Sequence, residues 1–219
     1  MSKRFLVLAA IAALMLAPAI AGAVPIAIGG TGTLGTFSGT FDYTATDDTS
    51  GTVDIVLNND SLTAGFLTGF LFNIPDGATV TGAILTTDDG DFTLLGAPTF
   101  DNTESGAPNG DFDIGAALGG SYLGGGNPNV GIAQGGSATF SFALTGTGLG
   151  SLTEQDFLST LSNGGCTGCS EEFVVRFRGF PDGGSDKVPN DGGVVPEPGT
   201  LTLLGLGLAS LAARRRAKS

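Results

Sequence analysis

The segment Ser137-Ala-Thr-Phe-Ser-Phe-Ala-Leu-Thr145 has the most regular alternation of apolar and polar residues in the chain. Such a period of two is typical of a β-strand with one buried face. The apolar face would carry Phe140, Phe142 and Leu144, and the polar face Thr139, Ser141 and Thr145. The segment therefore predicts a strand that lies over a hydrophobic core.

The same alternation recurs in other short segments separated by Gly, Asn, Asp and Pro. It predicts strands near 36–46, 51–57, 65–74, 78–86, 91–95 and 111–118, with a last strand at 172–180. The residues expected to face the core are Phe37, Phe41, Tyr43, Val53, Ile55, Leu57, Phe66, Phe70, Phe72, Phe173, Val175 and Phe177. Asn58-Asn59-Asp60 and Pro75-Asp76-Gly77 are the predicted turns, and Arg176 and Arg178 should face away from the core. Alternation on one face favours a mainly β fold, an antiparallel, jelly-roll-like β-sandwich.

One short helix is predicted after these strands. Ser151 and Glu154 have the spacing of a capping box, and Asn163-Gly164 is a plausible C-cap. The apolar stripe of this helix would be Phe157, Leu158 and Leu161. The glycine-rich segment 119–136 is expected to be a long loop.

The N-terminal segment has the three parts of a secretory signal peptide. Met1-Ser-Lys-Arg4 is basic, 5–16 is apolar, and Ala21-Gly22-Ala23 matches an A-x-A cleavage site. A transmembrane helix is the alternative, but the apolar run is short and Pro18 follows it. Cleavage after Ala23 would leave a mature chain that starts near Val24.

The C-terminal segment also has three parts. Pro196-Glu197-Pro198 is a stiff break, because each proline fixes φ and disfavours helix in the residue before it. The uncharged run 199–213 would span about 22 Å as a helix, which is less than the ~30 Å hydrocarbon core of a bilayer. The basic residues Arg214, Arg215, Arg216 and Lys218 follow and should stay cytoplasmic. An ordinary membrane anchor would not require the prolines, and an amphipathic helix would require a charged face.

This order of break, apolar run and arginine cluster closely resembles the PEP-CTERM sorting signal. The resemblance implies export by the general secretion machinery, processing by an exosortase near Pro196, Glu197 and Pro198, and transient contact of the C-terminal helix with the membrane. A weaker resemblance of 67–75, 131–142, 173–180 and 184–189 to PEP-CTERM ectodomains implies an association with bacteria that make exopolysaccharide. The predicted organisation is a signal peptide (1–23), a β-sandwich ectodomain (24–194) and the sorting signal (195–219).

The charge distribution excludes some partners. The chain has nine basic and 21 acidic residues, and six of the basic ones lie in the two terminal segments. Arg176, Arg178 and Lys187 are the only basic residues of the ectodomain. A surface of this sign repels nucleic acid and anionic lipid. Histidine is absent, so Ser-His-Asp and Cys-His catalytic sites are excluded.

Two motifs have simple structural explanations. Gly30-Thr-Gly32-Thr-Leu-Gly35 matches the dinucleotide fingerprint, but Thr36-Phe-Ser-Gly-Thr-Phe41 favours a strand where that site needs a helix. Cys166 and Cys169 form a C-x-x-C motif without a second metal-ligand pair. Because the protein is expected to be exported, we predict a structural disulfide between Cys166 and Cys169.

Aspartate clusters are the remaining candidates for chemistry, at 47–48, 88–91, 111–113 and 182–191. Asp88, Asp89 and Asp91 are weak candidate ligands for Ca²⁺, with solvated turns as the alternative. Asp88 with Asp91 could also be drawn as a glycosidase pair, and Ser185 with Lys187 as a nucleophile and base, but loops rich in Gly and Asp produce such pairs by chance.

The sequence thus predicts a non-catalytic exported protein with no required cofactor, located at the cell surface or in the extracellular polysaccharide matrix of a biofilm. Its expected role is structural or adhesive, with exopolysaccharide as a candidate partner. The alternatives are a carbohydrate-binding module and a secreted hydrolase.

Overall fold

Antiparallel strands form most of the structure, a computed structural model that describes residues 24–164 and 170–191. The strands are Ile26–Thr31 (β1), Thr36–Asp47 (β2), Ser50–Asn59 (β3), Phe66–Phe72 (β4), Thr79–Thr87 (β5), Phe92–Leu95 (β6), Glu104–Ser105 (β7), Asp111–Phe112 (β8), Ile114–Leu118 (β9), Ile132–Ala133 (β10), Ser137–Thr147 (β11), Phe173–Arg178 (β12) and Ser185–Pro189 (β13). One short α-helix, Glu154–Phe157 (α1), and 3₁₀ turns at Pro128–Val130 and Leu149–Ser151 complete the regular elements of the described residues. The prediction of a mainly β, antiparallel fold with one short helix is confirmed.

The first sheet has the strand order β1-β2-β3-β11-β5. The alternating segment 137–145 lies in β11, which pairs with β3 on one side and β5 on the other. Phe140 lies opposite Ile55 and Phe142 lies opposite Val53, so that the apolar faces of β11 and β3 coincide. All four of these side chains are buried.

The second sheet has the order β13-β12-β4-β9-β6, with β10 paired to one end of β4. Side chains from both sheets form one hydrophobic core. The rings of Phe70 and Phe140 lie 4.7 Å apart, and those of Phe41 and Phe72 lie 5.6 Å apart, both edge to face. Phe173 stacks on Phe70 at 5.8 Å. Edge-to-face and offset contacts of this kind are favoured by the aromatic quadrupole.

A smaller apolar cluster contains the residues that β4, β9 and β12 direct away from the main core. Its members are Leu71, Leu95, Phe112, Ala117, Tyr122 and Val174. The second sheet is therefore buried on both faces in its centre, and every residue of β4 after Phe66 is buried.

This arrangement corrects the predicted alternation of β4. Phe66 was expected beside Phe70 and Phe72, but Leu67 occupies that core position and Phe66 is half-buried. The cause is a bulge: Arg176 pairs with Gly69 and Phe177 with Leu67, which leaves Thr68 as an extra residue on β4. One extra residue moves the following side chains to opposite faces.

The predicted helix boundaries were also wrong. The N-cap of α1 is Thr153, whose hydroxyl and backbone N–H both bond the carboxylate of Asp156 at 2.7 Å. The helix ends at Phe157, which is buried, whereas Leu161 is 59% exposed.

Four smaller predictions require correction. Asn58 and Asn59 belong to β3 and not to a turn, and Asn163 pairs with Asp111 instead of capping the helix. The strand at 173–178 is followed by β13. Segment 119–136 contains a 3₁₀ turn and β10.

No helix within residues 24–164 and 170–191 is long and apolar enough to cross a bilayer. The predicted signal helix and C-terminal helix lie outside these residues.

Candidate functional site

The last two described residues, Asn190 and Asp191, are hydrogen-bonded to β1. The backbone N–H of Asp191 donates to the carbonyl of Gly29 at 2.8 Å, and the Asp191 carboxylate accepts from the N–H of Thr31 at 3.1 Å. Asn190 is buried, and its side-chain oxygen accepts from the N–H of Gly29 at 2.9 Å. We call Asn190 and Asp191 with these bonds the exit clamp.

A glycine makes the exit clamp sterically possible. A Cβ at Gly30 would overlap the carbonyl oxygen of Pro189, so only glycine allows β1 to approach the end of β13 this closely. The described residues thus begin just before β1, at Val24, and end beside the same strand, at Asp191. From Asp191 to Pro196 the chain has five residue steps, which reach at most about 18 Å.

The predicted processing residues lie outside the described residues. They are Ala21, Ala23, Pro196, Glu197, Pro198, Arg214, Arg215 and Arg216, together with Cys166 and Cys169. Signal cleavage, the disulfide and the sorting cut remain predictions.

A polar cleft at one end of the domain was not predicted from the sequence. Its volume is about 340 Å³, within the range of small-ligand sites, and it is lined by 74–80, 99–102 and Asp113. The lining presents carboxylates from Asp76 and Asp101 and an amide from Asn102. An adjoining cleft of about 230 Å³ shares Asp76 and continues along 160–163.

Asp113 fixes the walls of the polar cleft. Its carboxylate accepts the N–H of Ile74 at 2.8 Å and the N–H of Asn102 at 2.7 Å, which joins two segments distant in sequence. Burial raises the pKa of Asp113, and the charges of Asp101 and Asp76 act in the same direction against the two N–H bonds.

The wall at 99–102 holds an unusual backbone conformation. Phe100 and Asn102 have φ values of 48° and 50°, and Phe100 is buried. The left-handed region is costly for a bulky residue, and such strain is concentrated at functional sites. Asparagine adopts the left-handed region more readily than most residues, so Asn102 is the one residue of this wall whose conformation the sequence could have suggested.

The candidate calcium ligands lie in the turn between β5 and β6. Asp88 accepts the N–H of Thr139 at 2.9 Å, and Asp89 accepts the N–H of Asp91 at 3.2 Å. Within 24–164 and 170–191, no three His, Cys, Asp or Glu side chains form a group that could hold a metal ion.

The Gly-x-Gly-x-x-Gly motif forms the turn between β1 and β2, and a strand follows it. The N–H groups of Leu34 and Gly35 donate to the carboxylate of Asp186 at 2.8 and 3.1 Å. This turn therefore binds a carboxylate of the protein itself, and the strand predicted to follow it is confirmed.

The three basic residues of the ectodomain hold loops over the outer face of the second sheet. Arg176 donates to the carbonyl of Tyr122, Arg178 to that of Gly125, and Lys187 to that of Ala107. Burial lowers the pKa of Arg176, Arg178 and Lys187. Lys187 and Ser185 lie two residues apart on β13, but the lysine amine bonds Ala107.

Comparison with known proteins identifies the C-terminal segment. Residues 194–216 match the family model of the PEP-CTERM protein-sorting motif, which confirms the resemblance drawn from the sequence. No curated protein matches the chain. The motif indicates an exported, surface-directed protein that an exosortase sorts.

Proposed function

We propose that this chain, sorted through its PEP-CTERM motif, is a non-catalytic structural or adhesive protein of the cell surface or exopolysaccharide matrix. The motif at 194–216 carries the proposal, because it specifies delivery to the envelope and no reaction. The chain runs toward this motif from β1, to which Asp191 is hydrogen-bonded through Gly29 and Thr31.

The proposed architecture of the ectodomain is a jelly-roll-like β-sandwich. Ring contacts between Phe70 and Phe140 and between Phe41 and Phe72 support it, because each joins strands of different sheets. A rigid, strand-based body suits a protein that bears load or contacts a polymer.

The disposition of charged groups supports a role without catalysis. The basic side chains bond loop carbonyls, and Asp88, Asp113, Asp186 and Asp191 accept backbone N–H groups. Groups engaged in this way hold the loops and are not positioned to transfer protons to a substrate.

The proposed mechanism of delivery has three steps. The signal peptide starts export, the apolar tail pauses the chain in the membrane, and the exosortase cuts near Glu197. The exit clamp limits the distance between the folded domain and Pro196 to about 18 Å.

Intact mass of the protein recovered from its own cells tests this proposal. We expect a mass without residues 1–23 and without residues 214–219, less two hydrogens if Cys166 and Cys169 are bonded. Scrambling residues 196–198 should retain the tail, whereas Gly192→Ser with Gly193→Ser, just before the matched motif, is the control and should not. A surface protein that keeps residues 214–219 and is delivered normally with scrambled prolines would contradict the proposal.

A second candidate function is carbohydrate binding in the polar cleft. Its support is the combination of carboxylate, amide and hydroxyl groups in a cleft of about 340 Å³. A glycan array with the exported protein should then show specific binding that Asp76→Ala abolishes and Asp60→Ala leaves intact. Absence of binding, with or without Ca²⁺, would leave the structural role. Cleavage of matrix polysaccharides or peptides by the purified protein would instead favour the hydrolase alternative.

A further inference from the structure

We propose that the outer edge of β5 pairs antiparallel with β5 of a second copy of this chain, which joins the first sheets of two molecules into one continuous sheet. This inference deepens the proposed structural role and rests on it for its biological meaning. Its physical basis is independent of the sorting motif.

The two edges of the first sheet differ. The outer edge of β1 bonds the exit clamp through Gly29 and Thr31. β5 ends the strand order on the other side, and no strand of the described residues pairs with its outer edge. An unpaired edge presents a row of N–H and C=O groups that is a template for another strand.

β5 lacks most of the features that usually prevent an edge strand from pairing with another chain. Residues 79–87 contain no charge and no proline, although 24–191 carries twenty acidic and three basic residues. Its one protective feature is a bulge at Thr81, which leaves residues 82–87 in regular register with β11. Free edges in other proteins usually carry lysine, proline or very short strands.

The side chains of this edge are incompletely covered. Ala83 and Leu85 pack against the main core but remain only partly buried, whereas Ile26 and Ile28 on the opposite edge strand are buried. On the other face of β5, Ile84 is 70% exposed. A strand placed beside β5 would cover apolar surface on both faces of the sheet.

The features of this edge favour a second copy as the occupant. An antiparallel pair related by a two-fold axis is self-complementary, as in the usual symmetric dimer. Because directly opposite residues share a face, Ile84 can lie opposite Ile84 while Ala83 lies opposite Leu85. Residues 79–87 themselves add no charge to the repulsion between two acidic domains.

The expected strength is modest in solution. A pairing of five residues, 82–86, buries little surface, and Asp88 and Asp89 flank it with like charges. Salt should strengthen the pairing, since it screens repulsion between exposed charges. Before the exosortase cut, copies held by their apolar tails in one membrane would have a raised effective concentration.

The test uses the exported protein purified from cells that make the full chain. We expect sedimentation equilibrium to show a monomer–dimer equilibrium that tightens between 0.05 and 0.5 M NaCl, conditions that shorten the screening length roughly threefold. Ile84→Lys should weaken the dimer at least tenfold. Leu62→Lys is the matched control at another exposed residue, 95% exposed in a loop, and should not change it. Amide exchange within residues 82–87 should slow as concentration rises.

Two results would overturn the pairing. One is a wild-type protein that stays monomeric at millimolar concentration with unprotected amides in residues 82–87. The other is a dimer of wild-type strength in folded Ile84→Lys protein. If the purified protein is monomeric but Ile84→Lys abolishes assembly on cells, the occupant is another protein and the second-copy proposal is also wrong. A chain that dimerises but is not delivered to the surface would keep the pairing and refute the proposed function.

Discussion

The substitution Asp42→Asn should stabilise the protein at neutral pH. Asp42 on β2 lies directly opposite Asp54 on β3, and Glu154 of α1 is the third carboxyl nearby. Its Oδ1 atom is shielded from solvent and has no hydrogen-bond partner among the described residues. Burial raises the pKa of Asp42, and a hydrogen bond with Glu154 and the charges of Glu154 and Asp54 raise it further.

The expected gain follows from these contacts. Asparagine keeps the shape of the side chain, removes one of two opposed charges and gives Glu154 a permanent donor. Like charges directly opposite on neighbouring strands destabilise by roughly 0.2–1 kcal/mol. We therefore expect the free energy of unfolding to rise by about 0.5–1 kcal/mol at pH 7. For a domain of this size the Tm should rise by about 2–4 °C per kcal/mol.

The pH dependence gives the sign of the effect. A carboxyl with a raised pKa in the folded state binds protons more tightly there than in the unfolded chain, so the wild type loses stability as pH rises through that pKa. The asparagine side chain has no such proton to lose, so the variant escapes this loss. The extra stability of the Asp42→Asn protein should be greatest at pH 7 and should vanish as the pH falls toward 3.8, the ordinary pKa of aspartate.

Urea unfolding of the exported protein, followed by far-UV circular dichroism at pH 7 and pH 4, measures this difference. Asp60→Asn makes the same chemical change at an exposed residue and should alter stability by less than about 0.5 kcal/mol. A destabilised Asp42→Asn protein at pH 7, or a gain of equal size at pH 4, would refute the reasoning.

Three further predictions use the same unfolding assay. Because burial raises the pKa of Asp113, as it does that of Asp42, Asp89 and Glu171, the wild type should gain stability as pH falls from 7 toward 3.8, and a steady loss over that range would contradict this. Phe173→Ala removes a ring that contacts both sheets and should lower the free energy of unfolding by about 3–5 kcal/mol. Phe66→Ala, at a half-buried residue, is the control and should cost much less. Equal losses of stability in the two variants would contradict the assignment of Phe173 to the core. Asn59→Ala should cost about 2–4 kcal/mol, because the buried amide donates to the carbonyls of Gly65 and Ile132 at 3.0 and 2.8 Å, whereas Asn58→Ala should be nearly neutral.

The strands of the first sheet were the most predictable part of the fold. β2, β3 and β11 each bury one face, so period-two alternation identified Phe41, Ile55 and Phe140 directly. β4 was harder because apolar residues cover both of its faces. Tyr122, which covers the outer face, is about fifty residues away in sequence, and no local pattern reports such a contact.

The polar cleft could not be predicted, for a related reason. The carboxylate of Asp113 accepts hydrogen bonds from the backbone N–H groups of Ile74 and Asn102, and these bonds form only after three separate segments have met. In the sequence, Asp113 is one member of an acidic pair and Asp76 is a turn residue. The exit clamp depends in the same way on a contact between the first strand and the last described residues.

The acidic composition has a structural meaning beyond solubility. Asp186 binds the N–H groups of Leu34 and Gly35, and Asp88 binds the N–H of Thr139. The described residues include only three basic side chains, and backbone N–H groups thus serve these carboxylates as the partners that lysine and arginine provide elsewhere. A divalent cation bound at Oδ1 of Asp88 would compete with the N–H of Thr139, so calcium binding there should change amide exchange at Thr139. The loops of this domain are therefore held by carboxylates from neighbouring segments, and glycines such as Gly30 provide the space for the backbones to approach.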